Sequence, residues 1–355
     1  MKRLLILLPA AALMAAACGK IPGPAAATPE GELTVSLTGL WDTAGTKATP
    51  GNADENKLNK LTLYVFDAAG MLDVSHACTS AEIAAQQVKL RTKTGRKTIC
   101  AVANMSAAMQ VQADTKYRLA DLDAIPYELA DNSPTGFVMR GVSGDVSVSS
   151  GSGGSATVSL VRGVARVSLE SVKNNLPAPF GTVKLRHAFL CNVVGNQNIG
   201  GGADADPQKY INREATRGHV RNQVIGTGSV EAECKDLTFK TLGQDVAHGD
   251  TQSLQNSRFY AFPNPLTTPN NGFNENFTPT ATVLMVVVSI NGTDYYYPVP
   301  LKNGLVANTE YKVELTLAGL GNTEDDPFAR IDKGDLMATI SVSPWNNGAT
   351  ITETI

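Results

Sequence analysis

Charge is scarce in this chain. Asp, Glu, Lys and Arg make up 18% of its 355 residues, against about a quarter in an ordinary soluble domain. With 30 basic and 33 acidic side chains the formal charge is −3, so there is no basic surplus to neutralise phosphates and nucleic acid is excluded as a partner. The four histidines, His76, His187, His219 and His248, lie far apart and form no i, i+4 pair of the kind that carries a helical metal site. GxSxG, HExxH and a Gly-rich phosphate loop are all absent, so no enzyme, cofactor or metal is expected. Small acidic clusters at 203–207 and 322–326 lack the ligand count and turn glycine of a calcium loop and read as solvated loops. Beyond the amino-terminal segment no apolar run reaches spanning length. Residues 281–290 are too short to cross a bilayer and read as a buried strand.

Cysteine is sparse too, with no CxxC spacing, which argues against a structural zinc. Its placement is informative. Lys2 and Arg3 precede an apolar stretch, residues 4–14, and Ala15, Ala16 and Ala17 lead directly into Cys18. A basic start, a short apolar core and small residues before a cut site make a secretory signal peptide over 1–17. A cysteine at the new amino terminus makes it a lipoprotein signal, although Ala15 stands where a larger aliphatic residue is more usual. Diacylglycerol on the thiol plus an acyl chain (palmitate, for example) on the amine would hold the chain on a membrane, because two or more chains anchor stably. Export permits disulfides. Cys78 with Cys100 and Cys191 with Cys234 would each close a loop within one half, and four buried thiols are the alternative.

After a Pro-, Ala- and Gly-rich tether over 18–31, Leu33, Val35 and Leu37 alternate with small polar residues, the period of a half-buried strand. Residues 39–59 lack periodicity and read as an exposed loop. Leu61-Thr62-Leu63-Tyr64-Val65-Phe66 is a second strand, and 88–102 reads as a hairpin around Thr94-Gly95. Short helices are expected at 80–87, capped by Thr79 or Ser80, and around 119–129. A hairpin with a Gly-rich tip covers 142–160, and 195–231 reads as an excursion from a sheet. Asn291-Gly292 between two apolar runs is the strongest short hairpin signal in the chain. Tyr295, Tyr296 and Tyr297 could offer a stacking surface for sugars, but at strand spacing at least one must face inward. The expectation is all-β: two tandem β-sandwich (transthyretin-like) domains with a few short helices, over 32–161 and 162–355.

The order of these features resembles the fimbrillins, the subunit family of type V pili. The likeness rests on Cys18, the strand at 32–38, the loop, and Lys60-Leu61-Thr62-Leu63-Tyr64-Val65-Phe66-Asp67. It continues in Val102-Ala103-Asn104, Arg162-Gly163-Val164-Ala165-Arg166-Val167 and Asn308-Thr309-Glu310-Tyr311, and ends in a closing strand near Trp345. The resemblance implies an outer-membrane lipoprotein precursor that is cut by a trypsin-like protease in the loop after its first strand. The groove so opened is filled by carboxy-terminal strands of another subunit, giving an adhesive surface fimbrium. Carried over, Leu33, Val35 and Leu37 belong to the removed strand, and 335–355 is the donor with Met337, Ile340, Val342, Trp345 and Ile351 as buried contacts. The partners would be further copies and other pilus subunits, with the host or bacterial surface ligand unnamed. No arginine lies between Cys18 and Arg91, so the expected cut falls between Lys47 and Ala48. An uncut anchor or tip subunit, a glycan-binding surface lipoprotein and, more weakly, a secreted hydrolase are the rivals.

Overall fold

The computed structural model describes residues 29–39, 53–201, 209–212, 234–268, 280–323, 328–331, 334–345 and 351–354. Its first half contains β1 (Glu30–Thr38), β2 (Leu61–Asp67), β3 (Leu72–Ala77), α1 (Ser80–Ala85), β4 (Gln87–Lys93), β5 (Gly95–Ala103), α2 (Ala107–Ala113), α3 (Leu119–Asp123), β6 (Pro126–Glu128), β7 (Met139–Val142), β8 (Val146–Val148), β9 (Gly154–Ser159) and β10 (Val161–Arg162). Strands β4-β1-β9 form one sheet; β10-β7-β5-β2-β3 form the other, with β8 added to β5. Leu33, Val35, Leu37, Val88 and Val158 from the first sheet share one core with Val65, Ile99 and Ala101 from the second. Alternation along β1 and β4 builds that core, since only every second side chain can face it.

Two expected hairpins are corners instead. β4 pairs with β1 whereas β5 pairs with β2 and β7, so the chain changes sheet at Thr94-Gly95, where Gly95 has φ +123°. Likewise β8 joins β5 and β9 joins β1. Local alternation marks a strand but does not name its neighbour. The helix expected near 119–129 stops at Asp123 and gives way to β6, while α2, capped by Ser106, was not foreseen. α1 forms as expected, with Thr79 as its cap.

The second half contains β11 (Ala165–Asn174), β12 (Val183–Cys191), β13 (Val193–Val194), β14 (Asn196–Asn198), β15 (Tyr210–Ile211), α4 (Lys235–Thr238), β16 (Phe239–Thr241), β17 (Asp245–Val246), β18 (Thr251–Ala261), β19 (Val283–Ile290), β20 (Thr293–Pro300), β21 (Thr309–Leu317), β22 (Leu336–Pro344) and β23 (Ile351–Thr354). Its sheets run β18-β11-β21-β22-β23 and β16-β12-β19-β20, with β17 on β12. The fold is therefore all-β, two tandem sandwiches with short helices. Asn291 and Gly292 both have positive φ and close the β19–β20 hairpin as their sequence requires. β19 is covered on both faces, one cluster holding Leu284, Val286 and Val288 and another Val283, Met285 and Val287. For that reason Tyr296 and Tyr297 are both buried, and three stacked tyrosines are not presented for sugar binding. β6 pairs with β14, stitching the halves together, and Gln197 donates to Tyr127 and to the Gly163 carbonyl.

Cys78 and Cys100 are free thiols. β2 lies between them, and Cys78 stands beside Leu61 whereas Cys100 pairs with Tyr64, so their α-carbons are more than two strand spacings apart, over roughly 9.5 Å and beyond disulfide reach. Burial first, and then the Glu82 charge, push the Cys78 thiol up to about 12. Burial likewise pushes Cys100 up to about 12. Cys191 and Cys234 are buried.

Candidate assembly site

β1 is the middle strand of its sheet. It runs antiparallel to β4, with Leu33 opposite Leu90 and Val35 opposite Val88. It runs parallel to β9, with Val35 opposite Ala156 and Leu37 opposite Val158. Leu33 and Val35 are fully buried and Leu37 nearly so, and burying each contributes roughly 2 kcal/mol. Both ends fit closely. A side chain at Gly153 (φ +67°) would sit 2.5 Å from the Glu32 carbonyl, and one at Gly39 (φ +95°) would meet Ser159 and Leu160. Withdrawing β1 would split the sheet and leave an apolar slot walled by two unpaired edges. Open edges of that kind are templates for another strand. Cys18, Lys47 and Ala48 lie outside the described residues.

The segment that follows is held from the other side. A short 3₁₀ turn, Ala53–Asn56, carries Glu55, which is only 2% exposed, so the expected exposed loop contains one buried acid. The Glu55 carboxylate accepts bonds from Arg166, from Tyr260 Oη at 2.6 Å and from Trp345 Nε1 at 3.2 Å, with Arg258 Nη1 at 3.4 Å. Arg162 donates to the Glu55 carbonyl at 3.2 Å, to Asn56 and to Asn308 Oδ1 at 2.9 Å. Arg166 also binds Glu310, with Nε 3.0 Å from Oε1, and Ser168 donates to the same oxygen. The Arg162 and Arg166 guanidinium groups lie 4.4 and 4.8 Å from the Trp345 ring centroid, within cation–π range. Tyr260 stacks on the same ring. Desolvation lowers Arg162 to about 10, which leaves it charged at neutral pH. Tyr260 is pushed up, first by burial and then by the Glu55 charge.

Asn104 completes the clasp. Its side chain accepts from the backbone N–H of Asn59 and Lys60 and donates to the carbonyls of Lys57 and Phe137. Asn104, Arg162, Arg166, Asn308 and Glu310 all belong to the short motifs noted in the sequence; the fold brings Asn104, Arg162 and Arg166 onto residues 55–60, with Asn308 and Glu310 bonded to the two arginines. Glu55 itself was missed, because its partners lie more than 100 residues away. A lone acidic residue in an aperiodic segment carries no signal of burial.

The expected donor residues divide. β22 is interior to its sheet, pairing with β21 on one side and β23 on the other. Ile340 and Trp345 are buried and Val342 packs against the core. Met337 is 45% exposed, because its odd position puts it on the opposite face from Ile340 and Val342. Leu336 and Ala338 take the inward places instead. Ile351 begins β23.

Residues 31–176 match the family model described as Major fimbrial subunit protein (FimA). No curated protein sequence matches the chain. Among solved structures, a candidate cell adhesion protein from Bacteroides eggerthii DSM 20697 is similar, at TM-score 0.64 and 21% identity, covering 89% of this chain and 96% of that one. A fimbrilin from Porphyromonas gingivalis W83 matches at TM-score 0.61 and 15% identity, over 89% and 97% of the two chains. The tip fimbrial protein Mfa3 from P. gingivalis, with C-terminal truncation, matches at 0.51 and 14%, over 89% and 100%. At such identities the likeness is one of fold, and it extends through both halves. Over residues 31–176 this chain is thus similar to the major fimbrial subunit model, and its second half continues the fold of the fimbrilin structure.

Proposed function

We propose that this chain is a structural subunit of an adhesive surface pilus, exported as a lipoprotein on Cys18, activated by removal of β1 and polymerised by donor-strand exchange. The observation that carries the reading is the place of β1: a buried, alternating strand in the middle of a sheet, joined to the rest of the chain through residues 39–59. A cut after Lys47 would leave β1 held only by pairing and apolar contact. The new amino-terminal segment would stay clasped by Asn104 and the arginine cluster. The lipid leaves with β1, so one event frees the subunit from the outer membrane and opens the slot. On this reading the chain divides near 161/162 into a domain that receives a strand and a domain that gives one.

The slot asks for apolar side chains at every second position, three or more in a row. Leu336, Ala338, Ile340 and Val342 supply them; residues 351–355, with Glu353 in the alternation, supply them less well. We therefore place the donor in β22 and exclude Met337 from its buried face. Head-to-tail contact of this kind does not close and builds a filament. Replacing Lys47 tests the reading: Lys47→Gln should resist a trypsin-like protease at this position and stay unassembled. Filaments formed equally by the uncut variant would overturn it.

A further inference from the structure

One group of three metal-ligating side chains occurs among the described residues: His76, Cys78 and Glu82, whose ligand atoms all lie within 4.8 Å of one another. We propose that these three residues bind a borderline divalent transition metal, Zn²⁺ in the first instance, with water as fourth ligand. The site is built by local geometry. His76 and Cys78 are two residues apart at the end of β3, and the Cys78 N–H still bonds to the Leu61 carbonyl, so both side chains leave the extended backbone on the same side. The chain then turns into α1, whose third residue, Glu82, reaches back over that end.

The carboxylate is already oriented. Glu82 Oε2 accepts from Thr79 N–H at 2.7 Å and Thr79 Oγ1 at 2.9 Å, while Oε1 faces His76 Nε2 at 3.0 Å. Partners that fix a ligating carboxylate in this way commonly support metal sites. At ordinary zinc bond lengths tetrahedral ligands stand about 3.3–3.8 Å apart, so an ion entering between His76 and Glu82 needs to part them by only a few tenths of an ångström. Thiolate with imidazole and carboxylate suits zinc and disfavours calcium and magnesium. The site is reachable, since the His76 and Glu82 side chains are 31% and 24% exposed. Its signal in the sequence is His-x-Cys-x₃-Glu, which a search for CxxC or paired histidines passes over.

Calorimetric titration of the full chain with Zn²⁺ tests this, with Co²⁺ absorption reporting a thiolate ligand. One ion per chain is expected, with charge-transfer absorption on Co²⁺ loading. Cys78→Ser and His76→Ala should each weaken Zn²⁺ binding at least tenfold. Glu82→Gln, which retains the capping bonds, should weaken it about tenfold. Thermal melts without metal show that the variants are folded. Absence of binding to the wild type, or binding that none of the three changes alters, would overturn the proposal.

Discussion

At the scale of single residues, the centre of this molecule is a buried charge cluster. Glu55 and Glu310 face Arg162, Arg166 and Arg258 out of reach of water, and removing one partner from such a set leaves an uncompensated charge. Glu55→Ala should therefore lower stability by about 3–5 kcal/mol in urea denaturation, and Trp345→Phe, which keeps the stacking and loses one bond, by about 1–2 kcal/mol. A second buried pair, joined by Thr92, ties β3 to β4 and β5. Asp73 accepts from Lys97 Nζ at 2.7 Å and from Thr92 Oγ1 at 2.5 Å, with both members of the ion pair under 5% exposed. Burial alone would raise this carboxyl; the bonds from Lys97, Thr92 and Lys93 outweigh it and hold it at about 2, below its ordinary 3.8. Its contribution is thus full above pH 3.8 and is lost as pH falls towards 2. Asp73→Asn should cost about 3 kcal/mol at neutral pH, and its deficit against wild type should shrink in acid, as followed by melts between pH 2 and 7. The arginines and Asn104 could be picked out in the sequence as members of short motifs. Their common target could not, because nothing local distinguishes Glu55 from a solvated acid.

At the scale of elements, the β-rich runs at 61–66 and 88–102 marked β2, β4 and β5, and period-two alternation revealed β1 and its inward face. It said nothing of neighbours: β1 lies between strands that begin at residues 87 and 154, and the two expected hairpins open into different sheets. The parity that buries Ile340 also turns Met337 outwards, a constraint present in the sequence once β22 is taken as a single regular strand. Leu33→Ala in the uncut chain should cost about 2–5 kcal/mol, since its site is fully buried. A peptide carrying residues 335–343 should bind the trypsin-treated chain and block assembly, and the same peptide with Ile340→Asp should do neither. Equal binding of both peptides in fluorescence anisotropy would remove β22 as donor.

At the scale of the whole molecule, the segment after the proposed cut and the proposed donor strand meet at one cluster. Trp345, at the end of β22, bonds to Glu55, which follows the expected cut by eight positions. If β22 is given up as the proposed donor, the contacts that clasp residues 55–60 break with it, and assembly and internal packing would compete for the same residues. Deleting 346–355 should leave the fold intact. Deleting 335–355 should destabilise it strongly, since Ala338, Ile340 and Trp345 leave the core together. On the proposed function, loss of β1 converts a stable monomer into a polymerising subunit. Limited trypsin digestion of the full chain, followed by intact mass and negative-stain microscopy, tests it most directly. Cleavage after Lys47, release of the fragment that carries β1, and filaments that appear only after cleavage are the predicted result. A chain cut after Lys47 that loses β1 and remains monomeric would contradict it.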